Sequence, residues 1–209
     1  PVIRTVLDEE IDLAREMYRW EMGVAAAGAI LGIHPFNQPN VEAAKRLAKK
    51  AMKENGRAAP ESAPTVPASS EKLDDAVGEW LRRADERSYL GIQAYLAPTA
   101  ETTDRLRTLV RVLRDGTHLA TTLGYGPRFL HSTGQLHKGG PPNGLFLQIV
   151  EEPEEDLPVP ETDYTFGELI RAQAIGDYQA LAENDRTVLR VKASPSELDR
   201  LADAVRSVT

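Results

Sequence analysis

The sequence predicts an α/β fold: a helical N-terminal arm, then a small, mainly parallel sheet of about four strands with flanking helices. Three observations predict it. Apolar residues recur at helical spacing over segments 6–33, 71–88, 99–114 and 165–183. Short runs rich in branched and aromatic residues (YLGIQAYL, GLFLQIV, TVLRVK) alternate with the later helices. Strands separated by helical crossovers pair in parallel, because each crossover returns the chain to the same end of the sheet.

The first helix carries Leu7, Ile11, Leu13, Met17, Trp20, Val24, Ala27 and Ile30. Within it, the stretch Gly23 to Leu31 (GVAAAGAIL) is small or apolar on every side, the pattern of a helix buried all round. It is either the central helix of this chain or packs on a missing partner. His34-Pro35-Phe36-Asn37-Gln38-Pro39-Asn40 ends it, since two prolines interrupt helical hydrogen bonding. Asn40 caps a second helix from Val41 to about Glu54, with Lys45, Arg46, Lys49, Lys50 and Lys53, and Asn55-Gly56 stops it. Residues 57–70 (RAAPESAPTVPASS) hold three prolines among small polar residues and read as a linker. The expected division is therefore an arm at 1–56, a linker at 57–70 and an α/β domain at 71–209.

Leu73, Val77, Trp80, Leu81 and Ala84 stripe the helix over 71–88. Tyr89 to Leu96 is the first expected strand. A helix over 99–114 turns Leu106, Leu109, Val110 and Leu113 inward, and His118 to Leu123 is the second strand. Gly124 to Asn143 reads as a Gly/Pro-rich loop. Gly144 to Val150 is the third strand, and acidic, Pro-rich residues 151–162 form a surface loop. A helix over 165–183 leads to the strand Thr187–Lys192. Ser194 opens the last helix, running to about Arg206, with Glu197 placed for a capping box.

Composition narrows the function classes. The 209 residues carry a formal charge of −7, which does not suit general nucleic-acid binding. There is no cysteine, so disulfides, thiolate metal sites and cysteine nucleophiles are excluded. No apolar run approaches the ~20 residues of a membrane span, and nothing at the front reads as a secretion signal. The chain starts at Pro1 instead of Met, and reads as a processed chain or a piece of a longer one.

The densest chemistry lies between Gly124 and Gly140: Arg128, His131, Ser132, Thr133, Gln135, His137 and Lys138 among glycines. Glycines let backbone approach a ligand, Arg128 and Lys138 suit an anion such as phosphate, and a histidine moves protons near neutral pH. The plain alternative is a solvated loop, but so many polar and cationic groups in an acidic chain favour a site. Its two histidines have no carboxylate within the loop for a metal set. Gly124-x-Gly126 falls short of a phosphate-loop fingerprint, and adjacent His131-Ser132 does not make a triad. Lys45 lies three residues from Glu42 on one helix face, and on spacing alone it is a solvated lysine.

Two blocks carry a resemblance. Tyr18 to Glu21 (YRWE) with Gly28 to Lys45 (GAILGIHPFNQPNVEAAK) looks like the C-terminal signature of glucose-6-phosphate isomerase, an apolar helix followed by N-P-F-D-Q-P-x-V-E-x-x-K. Gly124 to Ile149 (GYGPRFLHSTGQLHKGGPPNGLFLQI) resembles the C-terminal end of bifunctional transaldolase/glucose-6-phosphate isomerases, and Ala172 to Leu181 (AQAIGDYQAL) fits the same tail. The resemblance implies interconversion of glucose 6-phosphate and fructose 6-phosphate through an enediol(ate), in the cytoplasm, with no metal or organic cofactor. Lys45 matches the family's active-site lysine and Gln38 its glutamine near the substrate. His131 resembles the histidine that assists ring opening. Arg128, Ser132, Gln135 and Lys138 would then meet the substrate.

Three departures stand out. His34 and Asn37 replace the usual Asn and Asp, and the histidine block follows the lysine block instead of preceding it. Neither the segment that carries the base glutamate nor an upstream phosphate loop is present. The expectation is therefore a C-terminal part, inactive alone, whose partners are the sugar phosphate, the missing N-terminal part and a second copy in a homo-oligomer. The alternatives are a non-catalytic accessory or oligomerisation domain and a sugar-phosphate binding module.

Overall fold

The computed structural model describes residues 4–37, 39, 42, 46–48, 52, 63–128, 132–152 and 155–209, with Ser132 described by its backbone alone. The chain divides into two compact units, 1–38 and 39–209. The boundary follows Gln38, in the stretch that carries Pro35 and Pro39.

In the first unit, helix α1 (Glu10–Leu31) begins where Asp12 Oδ2 accepts from the backbone N–H of Glu9 at 3.1 Å. It ends at Gly32, whose φ of 68° is the left-handed stop that favours glycine. Pro35 folds back on Gly28 so closely that a Cβ there would meet the proline ring at 2.8 Å. Within this unit, among the described residues, the expected all-round burial is not found. Met17, Trp20 and Ile30 are exposed, Ile30 at 86%.

The second unit is α/β, as expected. Its elements run β1 (Val66–Pro67), α2 (Leu73–Leu81), β2 (Tyr89–Tyr95), α3 (Ala100–Thr117), β3 (Ala120–Tyr125), α4 (Ser132–Gly139), β4 (Gly144–Val150), α5 (Phe166–Ala182), β5 (Thr187–Lys192) and α6 (Leu198–Val208). A 3-10 turn at Pro195–Glu197 precedes α6. The five strands form one all-parallel sheet in the order β1-β5-β4-β2-β3. Two elements depart from the sequence reading. Strand β1 lies in the expected linker, and its proline is tolerated because β1 is an edge strand. Helix α4 lies inside the expected loop at 124–143.

Caps hold the helices as their sequences ask. Thr99 Oγ1 accepts from Thr102 N–H at 3.1 Å to start α3. Thr165 and Glu168 form a reciprocal capping box on α5. Ser194 N–H donates to Glu197 Oε2 at 2.8 Å, as expected.

The sheet has two unlike faces. On one, Leu90, Ile92, Leu145, Leu147, Leu189 and Val191 pack with Leu106, Leu109 and Leu113 of α3 and Leu198, Leu201 and Val205 of α6. Each such side chain contributes roughly 1.5–3 kcal/mol by leaving water. The alternate residues face α4 and α5, where Phe146 meets the His137 ring and Tyr95 packs on Ala174. On this face Gln93, Gln148 and Arg190 stand opposite one another on adjacent strands.

From β2 the chain passes outward to β3, then back across β2 to β4 and β5. This reversal places a switch point between β2 and β4, and open α/β sheets bind ligands above the strand C-termini at such a point.

Candidate ligand cleft and the mounting of helix α4

A buried polar row runs across the sheet beneath α4 and α5. Arg190 Nε donates to Gln148 Oε1 at 2.9 Å, and its Nη1 donates to Thr65 Oγ1 at 2.6 Å. Gln148 Nε2 donates to the Ala174 carbonyl at 3.0 Å. Gln93 Nε2 lies 3.3 Å from His137 Nδ1. Burial, helped by the charge of Lys138, pushes the His137 pKa down from 6.5 to about 4, so the imidazole is neutral at physiological pH.

Above the row lies a cleft of about 540 Å³ at the C-terminal ends of β2, β4 and β5. Tyr95, Val150 and Lys192 end the three strands there, and Gly126, Thr65 and the first turns of α5 complete the wall. Gly126 N–H donates to the Ala94 carbonyl at 2.8 Å, and a Cβ at Gly126 would meet the Tyr95 ring at 2.5 Å. The Tyr95 ring therefore needs glycine at this position. Burial, with the Asp177 carboxylate adding to it, holds the Tyr95 phenol well above its ordinary range, so its hydroxyl keeps its proton.

Charged groups of both signs line the cleft: Arg171, Arg190 and Lys192 with Glu151 and Glu152. Lys192 Nζ donates to Glu152 Oε2 at 2.5 Å, and this bond lowers the Glu152 carboxyl pKa. Arg190 is 7% exposed, and Gln148 and Thr65 accept two of its hydrogen bonds at the cleft's inner wall.

Helix α4 is clamped at its C-terminal end. Arg186 donates to the carbonyls of His137 at 3.1 Å, Lys138 at 2.7 Å and Gly140 at 2.7 Å. A cation on these last carbonyls also complements the helix dipole. Lys138 Nζ pairs with Asp177 of α5, and both side chains are fully buried. Burial raises the Asp177 carboxyl pKa and the Lys138 charge opposes it.

The residues expected from the sequence fall in different places. Gln38, Lys45 and His131 lie outside the described residues, and Ser132 is the first residue of α4. Arg128 is exposed, with Cζ 5.8 Å from the centre of the Tyr125 ring. Gln135 is half-buried on α4. Lys138, expected to meet an anion from a loop, is sealed between α4 and α5, where an unpaired charge would be costly and Asp177 supplies a partner. Arg128, Gln135 and Lys138 do not line the cleft. Thr65, Arg171 and Arg190, which do, escape the sequence reading. The one available signal is an arginine inside a strand otherwise apolar at its centre, TVLRVK.

Among the described residues, no group of three or more His, Asp or Glu is placed to hold a metal. No described helix is long and apolar enough to cross a membrane.

No family model matches the sequence, and no curated protein matches it. Among solved structures, the chain is similar to the crystal structure of a hypothetical protein from Thermus thermophilus, with a TM-score of 0.55 and 19% identity. The likeness covers 79% of this chain and 42% of that one, so this chain spans less than half the length of the structure it matches. At that identity the likeness concerns the fold.

Proposed function

We propose that this chain is the C-terminal part of an aldose–ketose isomerase interconverting glucose 6-phosphate and fructose 6-phosphate. The reading rests on the two sequence blocks, Gly28–Lys45 and Gly124–Ile149. The observation that carries it further is the mounting of α4. His131 immediately precedes this helix in sequence, and α4 is anchored by three hydrogen bonds from Arg186 and by the Lys138–Asp177 pair. A proton-transferring side chain needs such a rigid support, because small displacements cost rate steeply.

In this reading Lys45 and His131 serve the sugar oxygens during ring opening, Gln38 contacts the substrate, and the base glutamate comes from the N-terminal part. Arg128, Ser132 and Gln135 are substrate contacts, whereas Lys138 holds the helix. The test is a coupled assay on the full-length enzyme. Lys45→Ala and His131→Ala each reduce kcat/KM by about 10²-fold or more, the size of a lost acid–base contribution, while the 209-residue chain alone shows no turnover. Unchanged kcat/KM in both variants, or turnover by the isolated chain, overturns the reading.

A second reading, a non-catalytic packing module, is favoured by the exposed Met17, Trp20 and Ile30 of α1. It expects Trp20→Glu to dissociate the full-length assembly while activity per site persists; sedimentation showing an intact assembly ends it.

A further inference from the structure

We infer that the open edge of β3 takes an extended acidic segment of a partner protein as a sixth strand of the sheet. This goes beyond the isomerase reading, because none of the residues assigned to that reaction lies on β3 or α3.

Strand β3 lies at one side of the sheet and, among the described strands, pairs with β2 alone. Its six residues, ATTLGY, hold neither a charge nor a proline, and their register with β2 runs unbroken from Ala120 to Tyr125. Proteins guard an edge against further pairing with prolines, charges, bulges or very short strands. The opposite edge shows such guards: β1 is two residues long, and one of them is Pro67. Strand β3 shows none. Gly126 N–H donates to the Ala94 carbonyl at 2.8 Å, so the even-numbered residues of β3 aim their backbone groups at β2. Thr121, Leu123 and Tyr125 aim theirs outward, and no described residue bonds to those backbone groups.

The neighbouring helix decides the occupant. Thr103 Oγ1 of α3 lies 2.9 Å from the Tyr125 hydroxyl, which fixes the stripe of α3 that borders β3. At helical spacing from Thr103, that stripe continues through Arg107, Arg111 and Arg114. Among the described residues, Arg111 bonds to the Thr108 hydroxyl at 3.0 Å and makes no ion pair. Arg107 and Arg114 pair with Asp104 at 3.3 Å and Asp115 at 2.8 Å, exposed contacts of little energy that can exchange for others. Three guanidinium groups against two carboxylates leave this border positive, in a chain of net charge −7. A strand laid along β3 sets alternate side chains on the face of Thr121, Leu123 and Tyr125, the face that α3 covers. Carboxylates at those positions meet the arginines. Main-chain bonds then supply affinity, and the arginines select the sequence. A second copy of β3 fits poorly. Antiparallel pairing of two such edges places both α3 helices on one face, with arginine facing arginine.

The experiment is fluorescence anisotropy on the 209-residue chain with a labelled short peptide in which glutamate alternates with valine. One control peptide carries lysine in place of glutamate, and another carries two central prolines. Saturable binding of the glutamate peptide is expected, at least about tenfold tighter than either control. Hydrogen exchange at the amides of Thr121, Leu123 and Tyr125 is expected to slow on binding, which attraction to the arginines alone does not cause. Thr121→Pro removes an outward donor and no bond to β2. It is expected to weaken binding at least about tenfold with circular dichroism unchanged. Arg107→Glu combined with Arg111→Glu is expected to abolish binding. The proposal is overturned if the glutamate peptide does not bind, if the lysine peptide binds as tightly, if those amides stay unprotected, or if either variant binds normally. A dimer in sedimentation that dissociates on Thr121→Pro gives the edge to a second copy and also overturns it. Turnover by the full-length enzyme is unaffected by these outcomes, so the two readings fail separately.

Discussion

Arg190 Nε donates to Gln148 Oε1 at 2.9 Å from one strand to the next, between two side chains that are both buried. Replacing Gln148 by Leu preserves bulk but removes the acceptor for Arg190 and the donor to the Ala174 carbonyl. Because the buried Nε–H then loses its acceptor, the loss is expected to be about 2–3 kcal/mol. Urea unfolding of the variant with an unchanged m-value and a lower midpoint is the expected result.

The Lys138–Asp177 pair makes a different demand. Asp177→Ala strands a lysine that has no exposed surface and is expected to cost about 3–5 kcal/mol. The double variant Lys138→Met, Asp177→Leu removes both charges and is expected to recover most of that loss. A thermal melt in which the double variant is no more stable than Asp177→Ala contradicts this account.

His137 makes stability depend on pH. Its folded pKa is about 4 against 6.5 ordinarily, so the unfolded chain takes up the proton first as pH falls. Stability is full above pH 6.5 and is lost progressively between about 6.5 and 4. At about 1.4 kcal/mol per pH unit, the loss reaches roughly 3 kcal/mol. His137→Gln keeps a polar partner for Gln93 and cannot titrate. The difference in melting temperature between the two proteins is expected to narrow as pH drops from about 7 to about 4; a constant difference refutes the prediction.

Gly126→Ala drives a methyl against the Tyr95 ring, 2.5 Å from its nearest atom. The ring cannot yield easily, being buried against Ala174. A destabilisation of about 1–3 kcal/mol is expected, read as a lower midpoint in urea unfolding. Alanine at 126 with native stability would show that the contact relaxes freely.

The α/β class was legible because the strands at 89–95, 144–150 and 187–192 announce themselves by composition, and Ser194 with Glu197 announces the start of the last helix. Helix α4 was hidden. Its sequence, STGQLHKG, has two glycines in eight residues and reads as loop. Arg186 and Asp177, 46 and 39 residues beyond Gly140 and Lys138, supply the bonds that hold it, and tertiary partners leave no local trace. Strand β1 was hidden for a related reason: a valine and a proline gain strand character only by pairing with Val191 and Lys192. The cleft was obscured because a parallel strand is buried on both faces, so the alternation that would single out Gln93, Gln148 and Arg190 is masked.

The polar row has a further consequence, for the folding of the sheet. Leucine, isoleucine and valine on the aliphatic face are nearly interchangeable partners, and a strand that slid by two residues would still bury apolar groups there. On the opposite face the same slide would set Arg190 against Phe146 or Val150 instead of Gln148. A buried guanidinium would then face hydrocarbon, so misaligned sheets are penalised by one side chain. Arg190 thus acts as a key that admits one alignment of neighbouring strands, and substituting it with a neutral side chain of similar bulk is expected to leave a sheet that assembles but no longer chooses its alignment sharply.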